Sequence, residues 1–389
     1  MNQGISLAPS RRLKRRYRAE RRFKACCLGA LLLALAFLLL FFTDMIRQGY
    51  SAFVQTEIRV PVTYNADTVK FTREAVDPAI APMVSRAFFR QIPRQVAAEP
   101  ALMGTTQPQW VVATTDIDQY RKGHIDSLDT DKQAVLDRLT EAGDVAFGFN
   151  KSLFFSGDSK IPSNAGLWSA FVGSIYVMLV VLAVSFPIGV ATAIYLEEFA
   201  PDNRATQAIE ININNLAAVP SILFGLLGLA IFINFFGVPR SSALAGGLTL
   251  SLMTLPVIII STRAALRAVP QNIRQGAQAV GASRWQAVRD HVLPLSLPGI
   301  LTGTIIGIAQ AMGETAPLLL IGMIAYIPDA PTNMTQAATV LPAQIFTWAG
   351  MPERAYVSLT AAGILVLLSL LILLNAAAVL LRNRFERRW

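Results

Sequence analysis

The sequence predicts an all-α polytopic membrane protein with six transmembrane helices and a small extracytoplasmic α+β domain. Of the 389 residues, 53% are hydrophobic and only 15% are charged, so the chain is too apolar for an ordinary soluble protein of its size. A hydrocarbon layer of about 30 Å requires roughly 20 apolar residues per helix. Backbone polar groups in lipid must be satisfied internally, so the spanning segments are expected to be helices. Six apolar stretches qualify, at residues 25–43, 167–195, 213–236, 243–262, 295–322 and 357–381.

The distribution of Lys and Arg indicates the orientation of these spans. Residues 1–24 form a basic segment with nine Lys and Arg side chains, which predicts a cytoplasmic N-terminus. Alternation through the spans then places the loop 263–294 and the tail 382–389 in the cytoplasm and residues 44–166 outside. We therefore expect a multi-pass membrane protein with both termini cytoplasmic. The net charge of +9 lies mainly at the cytoplasmic ends of the spans, which indicates contact with headgroups of the lipid bilayer and no nucleic-acid partner.

The first transmembrane helix, 25–43, follows the run Arg21-Arg22-Phe23-Lys24, which is similar to a twin-arginine export signal. No small-residue cleavage site follows Phe42, and the apolar run is long for a signal, so the segment is interpreted as a retained anchor. Cys26 and Cys27 fall at its cytoplasmic start, where disulfides are not expected.

Residues 44–166 are polar, nearly balanced in charge and long enough for a small domain. Their patterns predict a compact α+β domain but indicate no role for it. Four segments carry the prediction: the mostly extended Glu57–Phe71, the amphipathic Pro78–Ile92, the strand-like Trp110–Thr114, and the helical Asp131–Ala142 with a cap at Asp129 or Thr130.

Residues 167–381 are predicted to form the transmembrane core. Prolines interrupt its apolar spans, and glycines recur along them. Kinked helices with small residues pack closely and can shift against one another, a combination that favours transport over mere anchoring. The prolines are Pro187, Pro220, Pro256, Pro298 and Pro317, and the glycines lie at 225, 228, 246, 247, 303 and 307.

A polar, Arg-bearing stretch between Pro270 and Pro294 separates two apolar runs of this core. Pro270 is placed as a first helical residue, and Gly281 suits a helix that ends in a left-handed conformation. Ser283 and Gln286 have the spacing of a capping box that starts a second helix. The stretch therefore predicts two short helices that meet at a glycine; the alternative is an ordinary cytosolic loop.

The same stretch resembles the coupling loop of membrane subunits of ATP-driven importers. That family has the pattern E-A-A, three residues, G, nine residues, a branched apolar residue, one residue, and L-P. The spacing is intact here, although Gln275 replaces the family's Glu and His291 its apolar residue. The resemblance implies contact with an ATPase, and the matching positions together with the following basic residue are Gln275, Gly276, Ala277, Gly281 and Arg284.

Three further strings resemble the A-type (PstA-like) permease subunit of the bacterial phosphate-specific importer. They are P-I-G-V-A-T-A-I-Y-L-E-E-F-A-P at 187–201, N-I-N-N-L-A-A-V-P-S-I-L-F-G-L-L-G at 212–228, and M-G-E-T-A-P-L-L-L at 312–320. The resemblance covers about 170–381 and implies a type I importer permease core in 167–381. It also implies inorganic phosphate as the solute, a homologous PstC-like permease, a PstB-like ATPase dimer and a periplasmic phosphate-binding protein.

The chain has no G-x-x-x-x-G-K-[ST] loop, so it is not expected to bind nucleotide. We expect a transport subunit rather than an enzyme, with no cofactor of its own and with ATP and Mg²⁺ bound by the partner ATPase. On the predicted topology His124 and His291 lie in different compartments, so no His-based metal site is expected within one chain.

Glu314, with its neighbours Thr315 and Gln310, is the candidate site in the membrane. Exposure of this carboxylate to lipid would cost several kcal/mol, so it is expected to face the bundle interior or the translocation path. Hydrogen phosphate has an O–H that a carboxylate can accept, whereas sulfate at neutral pH has none. An equally weighted alternative is a structural carboxylate that pairs with a cation of the partner permease. Family members often have a basic residue where this chain has Gln310, and a Thr-Glu pair where it has Thr262-Arg263.

Other functions stay open at this stage. The chain could be a permease for another oxyanion, such as phosphonate or sulfate, or a membrane phosphate sensor with residues 44–166 as receptor. An intramembrane enzyme built on Glu314 has the least support, because no second acid, His pair or nucleophile accompanies it. The coupling-loop pattern favours the importer, since a sensor or enzyme has no use for an ATPase docking loop.

Overall fold

The structure is a computed structural model that describes residues 11–385. The outermost parts of the predicted basic N-terminus and tail, 1–10 and 386–389, lie outside the described residues. Helix α1 covers Arg11–Gly49, 39 residues, so it begins in the basic segment and continues beyond the predicted span 25–43. At 1.5 Å per residue it is about 58 Å long, nearly twice the thickness of a hydrocarbon layer.

The predicted α+β domain is present and begins after α1. Strand β1 (Val54–Thr63) is central in an antiparallel sheet of order β2-β1-β3, with β2 at Thr106–Val112 and β3 at Val145–Phe149. Arg59 lies opposite Trp110, and Thr56 lies opposite Phe147. Alternate residues of β1 are fully buried and pack against the helices of the domain. Those helices are α2 (Ala66–Lys70), α3 (Arg86–Ala98), α4 (Thr115–Arg121), α5 (Thr130–Glu141) and α6 (Lys151–Phe155).

Three local predictions for this domain need correction. The extended segment ends at Thr63, because Asn65 accepts hydrogen bonds from the next amides in a capping box with Thr68 and starts α2. The helix predicted from Pro78 begins only at Arg86, where Ser85 provides the cap. Helix α5 begins as predicted, but the side chain of Asp129 makes no capping hydrogen bond.

The remaining helices form the transmembrane part. Five described helices are long and apolar enough to cross a membrane, or up to six if one bent pair counts as a single span. Helix α7 packs along α10, α10 packs along α13, and α1 packs against α16. The bounds are α7 Trp168–Ile194, α8 Arg204–Ala217, α9 Ser221–Gly228, α10 Ala243–Arg267, α11 Gln271–Ala279, α12 Arg284–Ala287, α13 Leu293–Gly313, α14 Ala316–Leu320, α15 Leu341–Ala349 and α16 Ala355–Phe385.

Glycines permit the close approach of these helices. A Cβ on Gly247 of α10 would lie 2.4 Å from the Cβ of Val180 of α7. A Cβ on Gly303 of α13 would lie 2.0 Å from the Ser261 hydroxyl of α10. Both distances are too short for real contacts, so the two positions require glycine at the observed separation of the helices.

The span predicted at 213–236 is not one straight helix. The pair formed by α8 and the helix from Ser221 to Phe235 is bent by 103°. The break falls before Pro220, which has no N–H to donate to the carbonyl of Leu216 and disfavours helical backbone at Val219.

The span predicted at 295–322 is also interrupted. Helix α13 ends at Gly313, Glu314 has extended backbone angles (φ −77°, ψ 127°), and α14 restarts at Ala316. Pro317 cannot donate to the carbonyl of Gly313, so the helical hydrogen bonding is weakened at this point. Glu314 therefore lies at a helix break rather than inside a continuous helix.

Candidate coupling and translocation sites

The local structure of the loop 263–294 agrees with its sequence pattern. Helix α11 ends before Gly281, whose φ of +93° is in the left-handed region. The amide of Gln286 donates to Ser283 Oγ at 3.2 Å, and the Ser283 amide donates to Gln286 Oε1 at 2.8 Å, so the capping box of α12 is confirmed. Pro270 is the N-cap of α11 rather than its first residue, because its ψ of 141° is extended.

The residues predicted to contact an ATPase do not all face the same way. Gln275 and Gly276 are exposed, and a Cβ on Gly276 would meet nothing within 4 Å. Ala277 is buried at 7% exposure and faces the rest of the chain. The exposed Gly281 lies at the turn, and Arg284 places its guanidinium 5.7 Å from the ring centroid of Phe199. Helix α11 thus has an open face at Gln275 and Gly276.

An ion-pair cluster next to the coupling loop was not predicted from the sequence. Arg263 donates from Nε to Glu197 at 3.2 Å and from Nη2 to Glu210 at 2.5 Å. Arg267 contacts the other oxygen of Glu197 at 2.8 Å. Glu197 follows α7 in a π-helical turn, Tyr195–Phe199, and Glu210 belongs to α8. The cluster joins the end of α7 and the last turns of α10 to the middle of α8, and Arg263, which departs from the family pattern, is one of its centres.

A second ion pair connects α11 itself to this region. Arg274 of α11 contacts Glu198, the neighbour of Glu197, through Nη2 at 2.5 Å and Nε at 3.2 Å. Its remaining bonds go to the carbonyl oxygens of Leu266, in the last turn of α10, and of Val269, in the linker that follows. The sequence held one signal for both ion pairs: two adjacent glutamates at the predicted cytoplasmic end of a span, and arginines across the loop 263–294.

The candidate site at Glu314 is open within this chain. Glu314 and Thr315 are half-buried, and Gln310 is exposed one helical turn earlier. Among residues 11–385 the Glu314 side chain has no hydrogen-bond or ion-pair partner. Gln310 lies on a stripe of α13 with Ile306 and Gly313, which are both exposed. Gln310 therefore lies on an uncovered stripe of α13, and Glu314 and Thr315 follow at the break where this helix ends.

No metal centre is evident in the described part of the chain. Between residues 11 and 385, no group of three or more His, Cys, Asp and Glu side chains could hold a metal ion. Cys26 and Cys27 are both exposed and free.

Two family models match the chain. One, described as the binding-protein-dependent transport system inner membrane component, matches residues 185–389, which is more than half of the sequence. The other is described as a domain of unknown function (DUF3333) and matches residues 10–79 and 68–130. The second match falls on α1 and much of the α+β domain.

Similar proteins include permeases. The probable ABC transporter permease protein YqgI of Bacillus subtilis (strain 168) is 33% identical over 161 residues, which cover 41% of this chain and 54% of that protein. The phosphate transport system permease protein PstA of Xylella fastidiosa is 30% identical over 239 residues, 61% of this chain and 82% of that protein. The chain thus spans about half the length of the Bacillus relative. A solved structure of the MetNI methionine ABC transporter in an inward-facing conformation covers 57% of this chain and 94% of that chain, with 17% identity and a TM-score of 0.44.

The first family model includes both candidate sites, the coupling loop and the break at Glu314. The alignment with PstA covers most of that relative's own length. This chain therefore belongs to the family of binding-protein-dependent transport system inner membrane components and is a PstA-like ABC permease.

Proposed function

We propose that this chain is the permease subunit of an ATP-driven importer of inorganic phosphate. It forms the translocation path with a second, homologous PstC-like permease and couples to a PstB-like ATPase dimer in the cytoplasm. A periplasmic phosphate-binding protein delivers the solute. The importer lies in the bacterial inner membrane, with both termini of this chain in the cytoplasm and the α+β domain outside.

The observation that carries this proposal is the geometry of the coupling loop. Helix α11 offers an open face at Gln275 and Gly276, and its end is set by the left-handed Gly281. Val280, beside that turn, is 85% exposed. A short helix with an uncovered, partly apolar end suits insertion into a cleft of a partner, where its displacement can move the attached spans as rigid bodies.

Phosphate as the solute rests on Glu314 and on the PstA relatives. The Glu314 carboxylate lies at a helix break and has no partner between residues 11 and 385, so it is free to accept the O–H of hydrogen phosphate. Irregular backbone at membrane depth is tolerated only where it is buried in protein or lines an aqueous cavity. A hydrogen-bond acceptor at such a place selects hydrogen phosphate over the fully ionised sulfate.

The chain is proposed to have no catalytic or cofactor role of its own. ATP and Mg²⁺ bind the partner ATPase, and Gln275, Gly276, Ala277, Gly281 and Arg284 form the docking region. Ala277 supports this region from inside, because it is buried against the chain. Gln310 and Thr315 flank the carboxylate of Glu314 in the translocation path or at the contact with the second permease.

Reconstitution tests the proposal. The chain, its second permease and the ATPase are placed in liposomes with ATP and Mg²⁺ inside, and the binding protein with labelled phosphate is added outside. We expect phosphate uptake that requires ATP and does not respond to excess sulfate. Preferential uptake of sulfate or a phosphonate would identify another oxyanion importer, and binding of phosphate without any uptake would identify a sensor. Either result would overturn the proposal.

A further inference from the structure

The orientation of helix α11 relative to α10 depends on contacts beyond the short linker between them. Only three residues, Ala268–Pro270, join it to the end of α10. A linker this short limits distance but leaves the angle between the helices free. Local apolar contacts help, since Ile273 of α11 packs against Leu266 and Val269, yet Gln275 is exposed and a Cβ on Gly276 would meet nothing within 4 Å.

Arg274 supplies a directional connection. Its Nη1 donates to the carbonyl oxygen of Val269 at 2.7 Å, and its Nη2 donates to that of Leu266 at 2.9 Å. Carbonyls in the last turn of a helix lack helical partners and carry partial negative charge, so a guanidinium is well suited to this position. Leu266 lies in the last turn of α10 and Val269 in the linker that follows it, so Arg274 connects α11 to the end of α10 and to this linker.

The same guanidinium also reaches α7. Its Nε and Nη2 donate to the carboxylate of Glu198, in the π-helical turn that continues α7. The Arg274 and Glu198 side chains are only 13% and 7% exposed. Removal of one member of a buried pair leaves an uncompensated charge, so each side chain depends on the other. The planar fork of arginine can make these contacts together, whereas a lysine cannot.

Other arginines of the region differ in this respect. Arg267 is 59% exposed and contacts Glu197, which connects α10 to α7 without involving α11. Arg289 is 58% exposed and contacts only its neighbour Asp290. Among the described arginines of the loop 263–294, Arg274 is the one that lies on α11. It forms hydrogen bonds both to the last turn of α10 and to the π-helical turn that continues α7.

We propose that Arg274 is a positioning residue that fixes α11 to the cytoplasmic ends of α7 and α10, so that movement of the docked helix is transmitted to these spans. This inference rests on the proposed coupling of the chain to an ATPase. Glu198 is the counterpart of Arg274 on α7. The adjacent Glu197 serves the separate cluster with Arg263 and Arg267, which holds α7, α8 and α10 together.

The test uses the complete importer complex in liposomes and compares Arg274→Gln, Arg274→Lys and Glu198→Gln with the wild type. Arg289→Gln is the matched control, because it removes the same charge from the same loop at an exposed position. Two quantities are measured: phosphate taken up per ATP hydrolysed, and the distance distribution between spin labels at Gln278 on α11 and Ile188 on α7. Both positions are exposed, and Cys26 and Cys27 are first replaced by Ser.

For Arg274→Gln we expect uptake per ATP to fall about tenfold, within the usual range of coupling between sites, and the label distances to broaden. Arg274→Lys should restore part of the ratio, Glu198→Gln should lower it in an assembled complex, and Arg289→Gln should leave it unchanged. Wild-type ratios and narrow distances in both Arg274→Gln and Glu198→Gln would overturn the inference. If Arg274→Gln does not assemble, Glu198→Gln alone decides. Absence of uptake in the wild type would refute the importer, while the label distances would still test the positioning role.

Discussion

Substitutions at Gly281 can distinguish two roles of the coupling turn: its left-handed backbone conformation and its proposed contact with the ATPase. Gly281 has a φ of +93°, and a Cβ built on it would meet nothing within 4 Å. Any side chain therefore strains the backbone but collides with no described atom of this chain. Gly281→Ala adds only the strain, whereas Gly281→Trp adds the same strain and a large side chain at the turn that we propose to dock onto the ATPase.

The strain has a definite size. An L-residue in left-handed backbone costs roughly 1–2 kcal/mol, which changes the population of the turn by a factor of about 5 to 30. Asn tolerates this conformation better than Ala, so Gly281→Asn should cost less. If the turn alone matters, uptake should fall by no more than this factor in all three variants. If the turn also lies against the ATPase, Gly281→Trp should abolish uptake while Gly281→Asn retains most of it.

The assay is phosphate uptake by the reconstituted complex, with co-purification of the ATPase as a second readout. We expect Gly281→Trp to reach the membrane in normal amounts, to lose the ATPase on purification and to transport nothing. Normal transport by Gly281→Trp would refute the docking assignment. Equal losses in the Ala and Trp variants, with the ATPase still bound, would reduce Gly281 to a helix terminator.

Three further predictions concern other regions. For topology, a cysteine at Ser127 should react in intact cells with an impermeant thiol reagent, and a cysteine at Gln278 should not. The Lys and Arg distribution predicts that the two positions lie on opposite sides of the membrane. Labelling at Gln278 would contradict the predicted orientation. For the translocation site, Glu314→Gln should impair phosphate uptake in an assembled complex and weaken rejection of sulfate. Failure of this variant to associate with the second permease would instead indicate a structural carboxylate. Transport at the normal rate would exclude both roles. For stability, burial raises the pKa of Asp158 above its ordinary value of 3.8, despite the hydrogen bond from Trp348. The folded chain then retains a proton that the unfolded chain has lost, so the free energy of unfolding should fall as pH rises from about 4 through the raised pKa. Asp158→Asn should reduce this dependence in thermal unfolding in detergent, and an unchanged pH profile would contradict the assignment.

The coupling loop could be predicted in detail because its signals are local. The left-handed turn needs a glycine at one position, and the capping box needs Ser283 and Gln286 three residues apart. Each signal involves residues within a few positions of one another, so no knowledge of the tertiary structure is required. The extended character of part of β1 was recognisable from its residue types, but its bounds, Val54–Thr63, differ from the predicted 57–71.

The interruptions of the spans could not be predicted from hydropathy. Pro187 and Pro256 stay inside their helices, whereas Pro220 and Pro317 coincide with breaks. A window average treats all four alike, because the residues around each proline are apolar. Which proline ends a helix depends on whether the freed carbonyl and the new direction of the chain are accommodated by neighbouring helices, and this is a property of the tertiary structure.

The contact between Arg274 and Glu198 could not be predicted from the sequence for a related reason. Arg274 and Glu198 are 76 residues apart in the sequence, and the pair forms only because α7 and α10 pack side by side. The sequence showed charges of both signs near the predicted cytoplasmic ends of spans, but not which arginine meets which glutamate. Adjacent glutamates that serve two different clusters cannot be assigned without the positions of the helices.

The two breaks are parts of one arrangement. Helix α9, which follows the break at Pro220, packs against α14, which follows the break at Glu314. A Cβ on Gly225 would lie 2.8 Å from Pro317 Cα, so the short helices approach closely at a glycine and a proline. This packing buries Pro317 but leaves Gly313 exposed and Glu314 half-buried on the other side. Irregular backbone at membrane depth cannot face lipid. The proposed function therefore requires the second permease or a water-filled path to cover that open side. We expect the carboxylate of Glu314 to meet a polar partner there, and Glu314→Leu would remove this contact.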